Sequence, residues 1–100
     1  MPSKEQPLMT TFKKVDKYIN EKAYAKAKTQ LDKFLKKAPN NLDALIKLAE
    51  IYLRLTLFEQ ANKTLKKALS IEPENTDVIE MTAISYTLNK KYTEAEHLFL

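Results

Sequence analysis

The sequence contains no cysteine, no glycine and no tryptophan among its 100 residues. Without cysteine the chain has no disulfide, no thiolate nucleophile and no cysteine-ligated zinc or iron–sulfur site. Without glycine it has neither the phosphate-binding loop nor the dinucleotide-binding fingerprint, because both motifs need glycine at fixed positions. These absences argue against redox, zinc-finger and nucleotide chemistry, and they leave helix or strand packing to hold the fold together.

Long apolar runs are also missing. The most apolar stretch, residues 42–58, is interrupted by Lys47, Glu50 and Arg54, so it is unsuited to the core of a bilayer. Residues 1–7 lack the basic and then apolar pattern of a secretory signal. We therefore expect a cytoplasmic protein with no membrane span.

Positive charge is concentrated in the first part of the chain. The formal net charge is +4, and residues 1–41 carry ten Lys against four acidic residues. Such a surface could attract nucleic acid, which would show as affinity that falls steeply with salt. Lysine is equally the ordinary residue of solvated helix faces, and we prefer this second interpretation. Nucleic-acid binding is therefore disfavoured.

Candidate catalytic residues are few. His97 is the single histidine, and Glu94 precedes it at the E-x-x-H spacing found in helical-bundle metal sites. Such sites need ligands from several helices, and the sequence has no second copy of the motif. The serine and threonine residues likewise lack a base with a defined partner. We expect no enzyme activity, no cofactor, no metal and no small-molecule substrate.

The strongest signal is an internal repeat, which appears when the chain is aligned with itself at an offset of 34 residues. Aromatic, small and large apolar residues then fall into columns. The three best columns are Tyr18, Tyr52 and Tyr86; Tyr24, Phe58 and Tyr92; and Ala27, Ala61 and Ala95. We interpret the tyrosine column as core, because its members recur once in every unit in a packing register.

Each unit has the apolar spacing of two helices, at i, i+3, i+4 and i+7. Pro39 and Pro73 disfavour helix at the residue before them, and Asn41 and Asn75 can cap the next helix. We predict helices over residues 8–21, 24–37, 42–55, 58–71, 76–89 and 92–100. The corners inside the hairpins, at residues 22–23, 56–57 and 90–91, must form without glycine.

The second unit carries Leu48, Ala49 and Tyr52 in its first helix, and its second half ends at Pro73. This pattern resembles the tetratricopeptide repeat. The resemblance implies an all-α, right-handed solenoid of helix-turn-helix hairpins with about three repeats, the last truncated. We assign residues 1–7 to a disordered arm, 8–41 to repeat 1, 42–75 to repeat 2 and 76–100 to a partial repeat 3.

The resemblance also implies a concave groove, lined by the first helix of each repeat, in which a peptide segment of a partner protein binds. Apolar residues would give affinity and acidic residues would select a partner with basic residues. The implied groove residues are Phe12, Asp16, Ile19, Asp43, Ile46, Glu50, Leu53, Arg54, Asp77, Glu80, Ile84 and Leu88. This function is a scaffold or adaptor, chaperone-like in the way it holds another polypeptide.

One known binding mode of the family, the clamp for an acidic C-terminus, requires basic residues at particular groove positions. Those positions hold Phe12, Asp16, Lys47, Asp77 and Met81, of which only Lys47 is basic. Asp16 and Asp77 would repel an anionic carboxylate. The sequence therefore argues against this mode.

An alternative function is self-assembly. The third repeat stops at Leu100 without the usual closing residues, and Leu98, Phe99 and Leu100 would form an exposed apolar end. Either the chain is part of a longer array, or this end packs against another molecule. A homo-oligomer built through these three residues is the runner-up to peptide binding.

Overall fold

The computed structural model describes the backbone of residues 6–99 and the side chains of residues 10–93. This part of the chain forms five helices and no strand: α1 (Gln6–Asn20), α2 (Tyr24–Lys37), α3 (Leu42–Arg54), α4 (Phe58–Ile71) and α5 (Thr76–Phe99). Helices α2 and α4 have the predicted bounds. Helix α1 begins at Gln6, so residues 6–7 are helical and do not belong to the predicted arm. Pro7 is compatible with this helix because proline is tolerated in the first turn. Residues 1–5 and 100 lie outside the described residues.

Each helix packs against the next one along the chain, and α3 also contacts α5. One core cluster joins α1, α2 and α3 around Val15, Leu31 and Ile51. A second joins α3, α4 and α5 around Leu65 and Val78. Because each cluster draws on three consecutive helices, a hairpin buries its apolar stripe only with the help of its neighbour. The predicted all-α repeat solenoid is confirmed.

Asparagine caps begin the first helix of the second and third repeats. The Asn41 side-chain oxygen accepts a hydrogen bond from the Ala44 N–H at 2.9 Å. Asn75 accepts the equivalent bond from Val78 at 3.1 Å. Each cap satisfies one of the N–H groups that the first turn of a helix leaves unpaired. The caps stand 34 residues apart and come after a turn that contains proline, as the sequence predicts.

The two complete hairpins turn corners of the same geometry. Lys22 and Thr56 have φ angles of 60° and 58°, and they are the non-glycine residues with positive φ in the described part of the chain. At both corners the next N–H reaches back five residues, from Ala23 to Tyr18 and from Leu57 to Tyr52. The left-handed conformation costs a residue with a Cβ roughly 1–2 kcal/mol. Packing of the next helix must offset this cost.

The third repeat does not form a hairpin. Helix α5 continues without a break for 24 residues, so the predicted corner at Lys90 and Lys91 and the separate helix over 92–100 are wrong. Lysine is a good helix former, and every helical residue adds one backbone hydrogen bond. With neither glycine nor proline between residues 76 and 99, the sequence has no local signal that stops the helix.

As a result, the tyrosine column is not uniformly core. Tyr18 and Tyr52 are partly buried against the first core cluster. Tyr86 is 70% exposed, so its interpretation as a core residue is wrong. The physical reason is the continuous helix: residues after Lys90 run away from Tyr86, whereas α4 returns across the equivalent face of α3.

Candidate functional site

A trough runs between α3 and α5. One part of it has a volume of about 420 Å³ and is lined in part by Phe12 of α1. Its other lining residues come from α3 and α5: Asp43, Ile46, Lys47, Glu50, Asp77, Glu80, Met81 and Ile84. Asp43 and Asp77, in the first turns of α3 and α5, both line this part, so the two helices begin at this end of the trough. We call this part the acidic end.

The trough continues toward the hairpin corner of the second repeat. This part also measures about 420 Å³ and is lined by Glu50, Leu53, Arg54, Thr56, Met81, Ile84, Leu88 and Tyr92. Because Glu50, Met81 and Ile84 line both parts, the two form one continuous surface. We call the second part the apolar end.

Ten of the twelve residues expected in the groove lie on the wall of this trough. The exceptions are Asp16 and Ile19, which both belong to α1. Ile19 is partly buried and packs against the first core cluster. Asp16 points to a lysine of α3 and forms an ion pair there. The structure therefore draws the wall mainly from α3 and α5, with Phe12 as the contribution of α1.

Two of the expected acidic residues are already paired. The Lys47 ammonium donates a hydrogen bond to Asp16 at 2.7 Å, and it also lies 5.4 Å from the centre of the Phe12 ring. Arg54 donates to Glu50 at 3.3 Å. The Tyr24 hydroxyl and then the Glu50 carboxylate raise the pKa of Arg54, which remains protonated. Such exposed pairs add only about 0–1 kcal/mol to stability, but they cancel charge inside the trough.

Three carboxylates at the acidic end have no ion-pair partner among the described residues: Asp43, Asp77 and Glu80. All three are exposed to solvent. Asp43 and Asp77 lie in the first turns of α3 and α5, where they also favour the positive end of the helix dipole. Glu80 lies about one turn further along α5, where the helix dipole is weaker as a reason for an acidic residue. The side chains that line the acidic end thus carry a net negative formal charge.

The apolar surface of the trough comes mainly from α5. Ile84 is 42% exposed and Tyr92 is 50% exposed, with the Tyr92 ring 5.5 Å from that of Phe58. Ile46 is partly buried. Leu53, which the sequence suggests as an apolar contact for a bound segment, is only 8% exposed and offers little accessible surface to a ligand. A side chain entering the trough would therefore meet Ile84 and Tyr92 first.

Comparison with known protein families agrees with this geometry. The model of the tetratricopeptide repeat matches residues 18–67, which is half of the chain. The chain belongs to the tetratricopeptide-repeat family. Proteins of this family are in general non-catalytic, and the repeat serves as a protein–protein interaction module. A search of curated proteins finds no significant match to the tetratricopeptide-repeat chain.

Four lining residues are not among the twelve residues implied for the tetratricopeptide-repeat groove: Lys47, Thr56, Met81 and Tyr92. From the sequence, Lys47 and Met81 are named only as groove positions of the clamp for an acidic C-terminus. Tyr92 could not be assigned to the groove from the sequence, because the 34-residue register assigns it to a second helix. It reaches the trough only because α5 is continuous.

Two further candidates of the tetratricopeptide-repeat chain come from its sequence: the Glu94 and His97 pair as metal ligands, and the C-terminal end as a self-association surface. Within the described residues, no group of three or more His, Asp or Glu side chains could hold a metal ion. The side chains of His97, Leu98, Phe99 and Leu100 lie outside the described residues, so the proposed self-association end is not placed. No helix in the described range combines the length and apolar character needed to cross a membrane.

Proposed function

We propose that the chain is an adaptor that binds a segment of a partner protein in the trough between α3 and α5. The segment presents Lys or Arg to the acidic end and a large apolar side chain to the apolar end. Asp43, Asp77 and Glu80 receive the basic group, and Ile84 and Tyr92 receive the apolar one. The bound segment is short, helical or extended, and contains both kinds of residue.

The proposal is supported by a difference in charge between the whole chain and its trough. The whole chain is basic, with a formal net charge of +4. Among the residues that line the trough, Lys47 and Arg54 are paired with Asp16 and Glu50, and the charged groups without an ion-pair partner among the described residues are the carboxylates of Asp43, Asp77 and Glu80. A basic protein that keeps an acidic groove is suited to a partner of positive charge.

In this proposal the apolar residues of the trough supply the affinity for the segment, and the carboxylates supply the selectivity. Burial of apolar surface contributes about 25 cal/mol for each Å², so Ile84 and the Tyr92 ring would supply most of the binding free energy. The exposed carboxylates would raise the association rate and reject acidic segments. An acidic C-terminus would be a poor ligand for this trough, because Lys47, the basic residue of the acidic end, is already paired with Asp16.

The proposal can be tested by selecting a random peptide display library on the purified chain. The matched pair of variants is Glu80→Lys, in the trough, and Glu59→Lys, on α4, where the Glu59 side chain is 84% exposed. Both variants change the net charge equally. We expect the selected peptides to combine Lys or Arg with Leu, Ile or Phe. They should bind Glu59→Lys as they bind the wild type, and bind Glu80→Lys at least about tenfold more weakly.

A second matched pair tests the apolar contact. Ile84 and Ile79 belong to the same helix and are similarly exposed, at 42% and 49%, but only Ile84 lines the trough. Ile84→Asp should abolish peptide binding in fluorescence anisotropy, and Ile79→Asp should leave it intact. Selection of acidic peptides, or equal loss in both variants, would contradict the proposal.

A further inference from the structure

Helix α5 carries an apolar stripe outside the trough. Ile79, Ala83 and Tyr86 lie at i, i+4 and i+7 and are exposed, Ile79 to 49% and Tyr86 to 70%. In the 34-residue register, Ile79 and Ala83 take the positions of Leu45 and Ala49 of α3. Those two residues are 3% and 0% exposed. The stripe of α5 is thus the equivalent of one that the second repeat buries.

The second repeat shows what covers such a stripe. Leu65 and Ala68 of α4 share a core cluster with Leu45 and Ala49 of α3. Leu35 of α2 packs against the same cluster. The stripe of α3 is therefore covered by a helix that presents both a large and a small apolar residue, and the preceding second helix supplies part of the contact.

A hollow of about 140 Å³ lies between α4 and α5 and reaches the stripe at Tyr86. Its other lining residues are Asn62, Leu65, Lys66, Leu69 and Thr82. Two polar groups on its wall are bonded inside the chain: the Thr82 hydroxyl donates to the Val78 carbonyl at 2.7 Å, and the Asn62 oxygen accepts from Ser85 at 2.8 Å. The hollow and the stripe together form a surface suited to apolar side chains, which we call the outer face.

Lysines border the outer face. Lys66 lines the hollow, and Lys90 lies about one turn beyond Tyr86 on the line of the stripe. Both side chains are exposed, and neither has an ion-pair partner among the described residues. At the register position of Lys66, α2 carries Asp32, which is paired with Lys28 at 2.6 Å. The ion pair of α2 is thus replaced by an unbalanced positive charge at the outer face.

We propose that the outer face binds an acidic amphipathic helix of a partner protein, which lies along α5 as α4 lies along α3. The apolar side of this helix covers Ile79 and Tyr86, with a small residue opposite Ala83, and its carboxylates face Lys66 and Lys90. The site is separate from the trough, because the three stripe residues line neither part of the trough.

A second copy of the chain suits this surface less well. Each copy has a formal net charge of +4, and a pair formed through two outer faces would bring Lys66 and Lys90 of both copies into one interface. Like charges that meet at an interface oppose binding, and complementary charges favour it. An acidic helix therefore matches the charge of the outer face, whereas another outer face does not.

Two peptides that differ only in charge test the proposal. The basic peptide has the sequence of residues 57–72, which contains α4, and it keeps the apolar side that covers α3. The acidic peptide is the same sequence with its three lysines replaced by glutamate, at positions 63, 66 and 67. In fluorescence anisotropy, the acidic peptide should bind the chain at least about tenfold more tightly than the basic one. Equal binding of the two peptides, or no binding of the acidic one, would overturn the proposal.

Reversal of charge on the chain separates this contact from general attraction to a basic protein. The variant K66E/K90E should prefer the basic peptide. The control K13E/K14E changes two exposed lysines of α1, has the same net charge, and should keep the preference for the acidic peptide. The proposal is wrong if K66E/K90E keeps the acidic preference, or if both variants lose it alike.

Truncation of apolar residues on α5 locates the bound peptide. Tyr86→Ala should weaken binding of the acidic peptide at least about tenfold, and Ile84→Ala, in the trough, should leave it unchanged. Because Tyr86 is 70% exposed, its truncation should not change the helical circular dichroism spectrum. Loss of binding in Ile84→Ala but not in Tyr86→Ala would place the peptide in the trough and contradict the proposal. Self-association of the wild type that Tyr86→Ala abolishes, measured by analytical ultracentrifugation, would assign the outer face to a second copy instead.

Discussion

The second repeat and α5 hold residues of the same register in opposite environments. Leu45 of α3 is 3% exposed, and Ile79, 34 residues later on α5, is 49% exposed. Both helices have an asparagine cap and an apolar stripe. They differ in the course of the chain after the helix, because α4 returns across α3, and nothing returns across α5 within the described residues. An apolar stripe is thus buried by the element after it, and the stripe alone does not decide its burial.

The corner of each repeat decides whether that element returns. Thr56 adopts a φ of 58°, and α4 then buries Ala61, Leu65 and Ala68 completely or almost completely. This packing outweighs a corner cost of roughly 1–2 kcal/mol. At Lys90 the helix continues, which keeps the backbone hydrogen bonds and avoids the cost.

The largest contrast is expected from truncating the equivalent residues Leu45 and Ile79. Leu45→Ala removes a buried side chain and should lower the free energy of unfolding by about 2–5 kcal/mol. Ile79→Ala removes an exposed one and should change it by at most about 0.5 kcal/mol at concentrations where the chain is monomeric. Urea denaturation monitored by circular dichroism measures both values. Equal losses in the two variants would mean that Ile79 is covered as Leu45 is, contrary to the exposure of Ile79 in the structure.

A smaller effect is expected at the contact between α4 and α5. Ile51 and Ser85 hold equivalent positions and are both fully buried, but Ser85 donates a hydrogen bond to the Asn62 oxygen at 2.8 Å. Asn62→Ala leaves the buried hydroxyl unpaired and should cost about 1–3 kcal/mol. In the double variant with Ser85→Ala, the loss should be smaller than the two single losses added. Additive losses in this thermal denaturation cycle would mean that the two side chains do not interact.

The smallest expected effect distinguishes the two caps. Asn41→Ala and Asn75→Ala each remove one cap and should each cost about 0.5–2 kcal/mol locally. Because α3 packs against helices on both sides, the loss at Asn41 should appear in global stability. The loss at Asn75 should appear mainly as faster amide hydrogen exchange in α5, since α5 packs on one side only. Equal loss of global stability in the two variants would show that α5 unfolds together with the rest.

Local signals predicted most of the fold. Asn41 and Asn75 set the starts of α3 and α5, and the bounds of α2 and α4 agree with the register. The third corner could not be predicted in this way, because the register at Lys90 is the same as at Thr56 and the local sequence tolerates a helix. The outcome depends on the packing energy of residues that are far from Lys90 in sequence.

The candidate site was predicted less completely than the fold. The register assigned Ile46, Glu50 and Ile84 to the groove, and all three line the trough, because the facing side of a helix is set by its period. It could not show that Lys47 pairs with Asp16, since these residues are 31 positions apart and meet only after α1 and α3 are in place. The free acidic charge of the trough depends on such pairs.

The sequence by itself determined the period, the helix type and the identity of the stripes, because these arise from side-chain spacing and from backbone preferences that act over a few residues. Only the tertiary structure decided which stripe is buried, which carboxylates are free and where the chain goes after Lys90. These outcomes depend on contacts between distant segments, whose free energy competes with the local backbone preference at each corner.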